Sequence, residues 1–305
     1  RGQEAAGIVT YTAETGLNSV RRMGYVRDHF TRPEVMAALP GRIALGHTRY
    51  STAGAKGATL RDVQPLYAEF ALGGCAIAHN GNITNADQLR AQLIERGSIF
   101  QSASDTECIV HLMARSIQKT IPDRMKDALR LVEGAFSVIA MTRSKLIGVR
   151  DPLGVRPLVI GRKSTPSGDA WIFSSETCAL DIVGAEFVRE VEPGEMVIAT
   201  EEGLASHRPF EPKRPRFCVF EYVYFSRPDS VIGGHSVYDA RRRIGVELAR
   251  EAPVEADLVC PVPDSGTPAA IGYSQGTGIP YAMGIIKNQY VGRTFIEPTD
   301  QIRDM

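Results

Sequence analysis

The sequence predicts an α+β domain followed by the beginning of a parallel α/β domain, and three observations predict it. Five short apolar runs between residues 135 and 199 follow one another through short polar turns, which favours an antiparallel sheet. Three helix patterns are grouped ahead of those runs rather than alternating with them. A β–loop–α–β order appears only after a proline-rich, basic stretch at 207–216. Element by element, Asn85 caps a helix whose Leu89 and Leu93 share a face and which Gly97 ends. Ser104, Asp105, Thr106 and Glu107 have the form of a capping box, opening a helix with Ile109, Leu112, Met113 and Ile117 on one side. A third helix follows Pro122, with Met125, Ala128, Leu129 and Val132 at helical spacing and Gly134 as its stop. The strand runs are 135–141, 145–150, 157–160, 170–174 and 195–199. Beyond the linker, 238–251 reads as a helix with Ala240, Ile244 and Leu248 inward. Residues 257–262 read as a buried strand, a helix starts at Pro268, and 279–286 reads as the next strand. The expected domains are 1–206 and 217–305.

Composition narrows the class of protein. A chain of 305 residues suggests two domains. Its 35 basic and 35 acidic side chains cancel, which argues against a protein that holds nucleic acid by neutralising phosphates. Hydrophobic content of 43% and charged content of 23% are those of a globular chain. The uncharged stretch 265–286 is broken by Gly, Pro, Ser, Thr and Gln, so it is no membrane span. No basic segment followed by an apolar one signals export. Cys75, Cys108, Cys178, Cys218 and Cys260 are odd in number, far apart and never in a CxxC pair, so they form neither a disulfide framework nor a zinc motif. A reduced, cytoplasmic protein is expected. The first residues, Arg1-Gly2-Gln3-Glu4, and the polar end at Met305 read as the limits of a piece of a longer protein.

Four polar segments at element ends are candidates for chemistry, and each has a plainer reading. Residues 46–54, GHTRYSTAG, follow an apolar run, and Arg49 offers a planar fork suited to a carboxylate; a surface turn with an ion pair would look the same. His79-Asn80-Gly81-Asn82 follows another apolar strand. Asn-Gly there is either a hairpin turn or an oxyanion hole built from the Asn80 amide and the Gly81 N–H. Asp105 stands in the first turn of its helix, where a carboxylate is favoured by about 0.3–1 kcal/mol and could also receive an ammonium group. Residues 261–267, PVPDSGT, lie between strand and helix. Their glycine and hydroxyl groups make either a phosphate cradle or an ordinary βα turn, and the Walker pattern is missing.

In combination, residues 1–8 (RGQEAAGI), GHTRYSTAG, HNGN and SDTE resemble the class II glutamine amidotransferases. Residues 220–230 (FEYVYFSRPDS), the PVPDSG loop and residues 287–296 (KNQYVGRTFI) resemble the branch of that family that acts on phosphoribosyl pyrophosphate. The resemblance spans essentially the whole chain. It implies an N-terminal-nucleophile αββα sandwich followed by a partial type I phosphoribosyltransferase domain. It implies an enzyme that hydrolyses glutamine and passes the ammonia to phosphoribosyl pyrophosphate, giving 5-phosphoribosylamine in the first step of purine synthesis. On that resemblance Arg49 holds the glutamine α-carboxylate and Asp105 its α-ammonium, with Tyr50 and Thr52 lining the pocket. Asn80 and Gly81 form the oxyanion hole, and Arg1 and Gly2 lie beside the nucleophile. Asp264, Gly266 and Thr267 bind the pyrophosphate, Ser265 contributes to a magnesium site, and residues 292–305 begin a closing lid. Cys218 matches a position that ligates a [4Fe–4S] cluster in some members; the three further ligands are not identifiable here. The family's nucleophile is an N-terminal cysteine, expected upstream of Arg1, and none of the five cysteines matches it. Glutamine and phosphoribosyl pyrophosphate are the expected partners, with a homo-oligomer and neither nucleic acid nor membrane. The competing readings are another class II amidotransferase, which should lack PVPDSG and the 287–296 segment, and a regulatory module without its nucleophile.

Overall fold

The structure is a computed structural model and describes residues 4–49 and 59–287. In chain order its strands are β1 (Ala5–Thr12), β2 (Gly16–Met23), β3 (Ile43–Arg49), β4 (Leu66–Phe70), β5 (Gly73–Ile83), β6 (Gly134–Met141) and β7 (Leu146–Arg150). They continue with β8 (Val159–Thr165), β9 (Gly168–Ser174), β10 (Glu186–Glu190), β11 (Met196–Thr200), β12 (Gly203–His207), β13 (Val231–Ile232) and β14 (His235–Ser236). The helices are α1 (Val26–His29), α2 (Pro33–Ala37), α3 (Ala86–Glu95), α4 (Thr106–Arg115), α5 (Ile121–Arg130), α6 (Thr177–Val183), α7 (Val237–Glu251) and α8 (Thr267–Thr277). Two compact units share the chain. One comprises the described residues up to Arg156 together with Val191–Arg216; the other comprises Pro157–Glu190 with the described residues from Phe217 onward. The units and the expected domains thus divide the chain at different places.

The first unit is built in four layers, and the alternation of side chains along β5 and β6 shows why. In an antiparallel strand successive side chains face opposite ways. Cys75 and Ile77 of β5, with Phe136, Val138 and Ala140 of β6, join a core with Leu89, Leu93, Ile109, Met113, Met125 and Leu129 of α3–α5. Ala76, Ala78 and Met141, on the opposite face, pack with Val9 and Leu45 of a second sheet. The first sheet has six antiparallel strands in the order β12-β11-β7-β6-β5-β4, and the second has the order β2-β1-β3. Val35 and Leu39 at α2 bury against Val20 and Ile8 on the far side of the second sheet. The order is therefore helices, sheet, sheet, helix. The five predicted strand runs all form within one or two residues of their expected limits, except that 157–160 extends as β8 to Thr165.

Several expectations on local structure are corrected. The capping box at 104–107 does not form: α4 starts after Asp105, whose side chain makes no cap, and Glu107 instead accepts the Gln101 and Ser102 N–H groups. Ile117 lies beyond the helix and is exposed. Gly134 does not end α5; that helix stops at Arg130, and Gly134 opens β6. His207 still belongs to β12, and residues 208–216 carry no regular structure, yet they are anchored rather than free: Phe210 meets Phe136 edge-on at 6.0 Å and Arg130 donates to the Pro209 carbonyl.

In the second unit, α7 has the expected limits but turns a different face inward. Val237, Arg241, Gly245 and Ala249 are buried, whereas Ile244 and Leu248 are exposed. The reason is backbone-to-backbone packing with α8. A Cβ on Gly245 would stand 1.9 Å from the Ala269 carbonyl oxygen, and one on Gly272 would stand 1.9 Å from that of Arg242. Arg241 is the buried charge on that face, and it donates to the carbonyls of Tyr222 and Ser226 at the ends of a π-helical turn, Glu221–Phe225. The expected buried strands at 257–262 and 279–286 are reduced, among the described residues, to one parallel bridge between Val259 and Tyr281. Leu258, Val262, Ile285 and Ile286 are exposed, so nothing described supplies the neighbour that a buried parallel strand requires.

Candidate active site

The site in the first unit grows from the ends of β3 and β5. Arg49 closes β3, with its guanidinium largely buried. Its Nη1 donates to the Asp62 carbonyl at 3.2 Å, and its Nε lies 3.9 Å from a Glu4 carboxylate oxygen. Asp62 is a residue that motif reading missed. Its Oδ1 accepts the Ala103 N–H at 2.8 Å and its Oδ2 accepts from Thr59. Burial opposes its ionisation, but the Thr59 and Ala103 donors and nearby Arg49 outweigh it and lower its pKa. One buried aspartate thereby ties the arginine to the loop that enters α4, two residues before Asp105.

Asp105 is placed by the end of β5. Its Oδ2 accepts the Ile83 N–H at 3.0 Å, its Oδ1 accepts the Thr106 hydroxyl at 3.3 Å, and the same oxygen lies 3.8 Å from His79 Nδ1. Burial would raise its pKa; the hydrogen bond and charge of His79, with the Ile83 and Thr106 N–H groups, prevail and hold it at about 2. It is a fixed anion at any ordinary pH. His79 is buried, with Nδ1 3.2 Å from the Thr106 hydroxyl and Nε2 3.4 Å from the Ala135 carbonyl. Its own N–H donates to Gln64 Oε1 at 2.7 Å, a second contact that the motifs did not reveal. His47 of β3 has Nδ1 shut away from solvent, and burial together with His79 lowers its pKa to about 4, so it is neutral near pH 7.

HNGN is not a hairpin turn. His79, Asn80, Gly81 and Asn82 continue β5 and pair with Val138, Ser137, Phe136 and Ala135 of β6. A Cβ on Gly81 would stand 2.0 Å from the Ala135 carbonyl oxygen and 2.7 Å from His79 Nε2, so the chain passes too closely for any side chain. Asn80 Oδ1 accepts a hydrogen bond from Arg156 at 3.1 Å. Arg1, Gly2, Tyr50 and Thr52 lie outside the described residues. Cys75 and Cys108 are buried core thiols whose pKa values burial pushes up to about 12 and about 11, the wrong direction for a nucleophile.

The second unit holds the 261–267 loop. Asp264 is exposed and meets Lys287 at 2.8 Å, while its carbonyl accepts the Thr267 N–H that opens α8. Gly266 donates to the Val262 carbonyl, and an added Cβ there would stand 2.8 Å from that same oxygen. The glycine is thus required by the loop's own backbone. Ser265 and Asp264 offer one hydroxyl and one carboxylate, a set that fits magnesium only where phosphate oxygens complete its octahedron. No cluster of three or more metal-ligating side chains occurs among the described residues, and Cys218 supplies one of the four ligands that an iron–sulfur cluster needs. The segment 287–296 falls almost wholly outside the described residues, as does the lid expected at 292–305.

The first unit is an αββα sandwich in which Arg49 ends β3, Asn80 and Gly81 lie in the last part of β5, and Asp105 stands at the start of α4. Residues 47–181 match the family described as glutamine amidotransferase domain. The full chain is homologous to amidophosphoribosyltransferases. It is 55% identical to that of Rhizobium etli over 99% of this chain and 61% of the relative, and 48% identical to that of Bacillus subtilis over 100% and 62%. It is 47% identical to the chloroplastic amidophosphoribosyltransferase 1 of Arabidopsis thaliana over 100% and 53%. A solved structure of the B. subtilis glutamine phosphoribosylpyrophosphate amidotransferase, complexed with ADP and GMP, superposes with a TM-score of 0.88. It shares 46% identity over 99% of this chain and 64% of that one. The chain spans about three fifths of the length of its bacterial relatives.

Proposed function

We propose that this chain carries the glutamine-hydrolysing half, and the beginning of the acceptor half, of an amidophosphoribosyltransferase. Glutamine is a zwitterion whose side-chain carbonyl becomes an oxyanion during hydrolysis, so its site needs a cation, an anion and amide donors in one place. The observation that carries the reading is the hydrogen-bonded chain from Arg49 through Asp62 to the loop before Asp105, with Asp105 beside His79 and His79 preceding Asn80. Arg49 receives the α-carboxylate, Asp105 the α-ammonium, and the Asn80 amide with the Gly81 N–H receives the developing negative charge. The ammonia is transferred to the ribose C1 of phosphoribosyl pyrophosphate, displacing pyrophosphate and leaving 5-phosphoribosylamine, the product that begins purine synthesis. The positive end of α8 faces the pyrophosphate, with the Asp264, Ser265 and Thr267 side chains alongside. Magnesium brought with the substrate would neutralise the charge on the departing pyrophosphate. A cytoplasmic location and a homo-oligomer complete the proposal; among the described residues no helix is long and apolar enough to cross a membrane. The test is stoichiometry in the intact protein. Glutamate and pyrophosphate released one for one from glutamine and phosphoribosyl pyrophosphate is the expected result; glutamate release indifferent to phosphoribosyl pyrophosphate, without pyrophosphate, would refute the acceptor.

A further inference from the structure

We infer that Arg156 is a positioning residue for glutamine hydrolysis, acting through the carboxamide of Asn80. The inference rests on the glutamine reading above and adds a residue that lies 76 positions away from Asn80 in sequence. A guanidinium carries only donors. The atom that Arg156 Nη2 meets at 3.1 Å must therefore be the carbonyl oxygen of the Asn80 side chain, not its nitrogen. With Oδ1 engaged, the amide is held in one flip, and its two N–H groups are committed to the opposite direction. An oxyanion hole needs that commitment. A carboxamide free to rotate would present its oxygen to the developing negative charge for part of the time, replacing attraction by repulsion.

The loop that delivers Arg156 is fixed from several sides, as a positioning element must be. Ser137 is the residue opposite Asn80 across the β5–β6 ladder, and its hydroxyl donates to the Arg156 carbonyl at 3.2 Å. The same carbonyl accepts Arg150 Nε at 2.7 Å, and Arg150 Nη2 donates to the Gly154 carbonyl at 3.1 Å. Asp151 is fully buried and accepts the N–H groups of Leu153 at 2.9 Å and Val155 at 3.1 Å, closing the turn from inside. Gly154 adopts φ +63°, and a Cβ there would stand 2.6 Å from Pro193, so the turn also requires its glycine. Two buried charged residues serve a seven-residue turn whose outcome is a guanidinium set against the Asn80 amide oxygen. Such a concentration of buried charge is costly unless something depends on the position it secures.

The experiment uses steady-state glutamate release by the intact protein, with ammonia-driven synthesis as the check on folding. Wild-type protein that releases no glutamate would overturn the glutamine reading itself, and this inference with it. Given wild-type release, Arg156→Ala is expected to lower kcat by about ten- to a hundredfold, up to the loss for one oxyanion donor, with KM for glutamine changed less than about threefold. Arg156→Lys, which can still donate to the amide oxygen, is expected to recover part of the rate. Arg156→Ala combined with Asn80→Ala should be no slower than Asn80→Ala alone, because the arginine acts only through that amide. An unchanged kcat in Arg156→Ala, a loss that multiplies with that of Asn80→Ala, or a rise confined to KM would each overturn the inference. Should Arg156→Ala fail to fold, Arg156→Lys and Arg156→Gln enter the same cycle, with the same non-additivity expected and the same multiplicative result against it.

Discussion

Replacing Asp105 by Asn removes a charge while keeping the shape, and the structure sets the size of the effect. His79, the Ile83 N–H and the Thr106 N–H hold the Asp105 carboxyl near pH 2 against a reference of 3.8. That difference is about 2 kcal/mol in favour of the ionised form. The folded-state pKa lies below the unfolded one, so this stabilisation is present above about pH 4 and is lost as pH falls from 4 through 2. At pH 7 a bound ammonium group would meet a complete negative charge, and a hydrogen bond to a charged group is worth about 1.5–3 kcal/mol. Asp105→Asn should therefore reduce kcat/KM for glutamine by about ten- to a hundredfold, mainly through KM, and cost about 2 kcal/mol of unfolding free energy at pH 7. Glutamate release over a glutamine series and urea unfolding at pH 7 measure the two effects separately. Synthesis from free ammonia should survive in the folded fraction. A variant that loses the stability but keeps its glutamine kcat/KM within threefold would show that Asp105 supports β5 and α4 without touching substrate.

Two further outcomes follow from the same physics. His47 resists protonation until about pH 4, whereas an unfolded histidine takes a proton near 6.5. Stability should accordingly fall between pH 6.5 and 4 by up to roughly 3 kcal/mol, and His47→Gln should flatten that acid limb; urea midpoints that track pH identically in both proteins would count against a buried neutral imidazole. Gly245→Ala pushes a methyl group to 1.9 Å from the Ala269 carbonyl and should separate α7 from α8 at a cost of about 1–3 kcal/mol, read as a lowered Tm. An unchanged Tm would mean that the two helices do not meet through their backbones.

Which parts of this molecule could be read from its sequence follows from where the signal sits. The strands from 134 to 150 were legible as short apolar runs, since β6 and β7 are covered on both faces and buried almost throughout, and the faces of α3 and α5 were legible because burial there follows a period of 3.6, as with Met125 and Leu129. The face of α7 was not, because its packing runs through Gly245, whose contribution is the absence of a side chain and leaves no mark in apolar periodicity. The helix start at 104–107 misled for a related reason: Ser104 and Glu107 matched a capping pattern, but the Glu107 oxygens serve the 101–102 loop, and Asp105 between them serves β5. Arg49, Asn80, Gly81 and Asp105 announced themselves as polar groups at strand and helix ends. Asp62, Gln64 and Arg156 did not, since each acts on a residue at least thirteen positions away. The readable signal for Arg156 was Arg150 and Asp151 immediately beyond an apolar strand, three charges in seven residues where the surroundings offered little solvent.

The measurement that bears most directly on the central claim is the nitrogen-source ratio in Arg49→Ala. If Arg49 holds the α-carboxylate, glutamine-driven synthesis of phosphoribosylamine by the intact protein should fall by about ten- to a hundredfold while ammonia-driven synthesis stays at the wild-type rate. Equal losses with glutamine and with ammonia would instead make Arg49 a structural anchor of Asp62, and the cluster around it would not be a glutamine site.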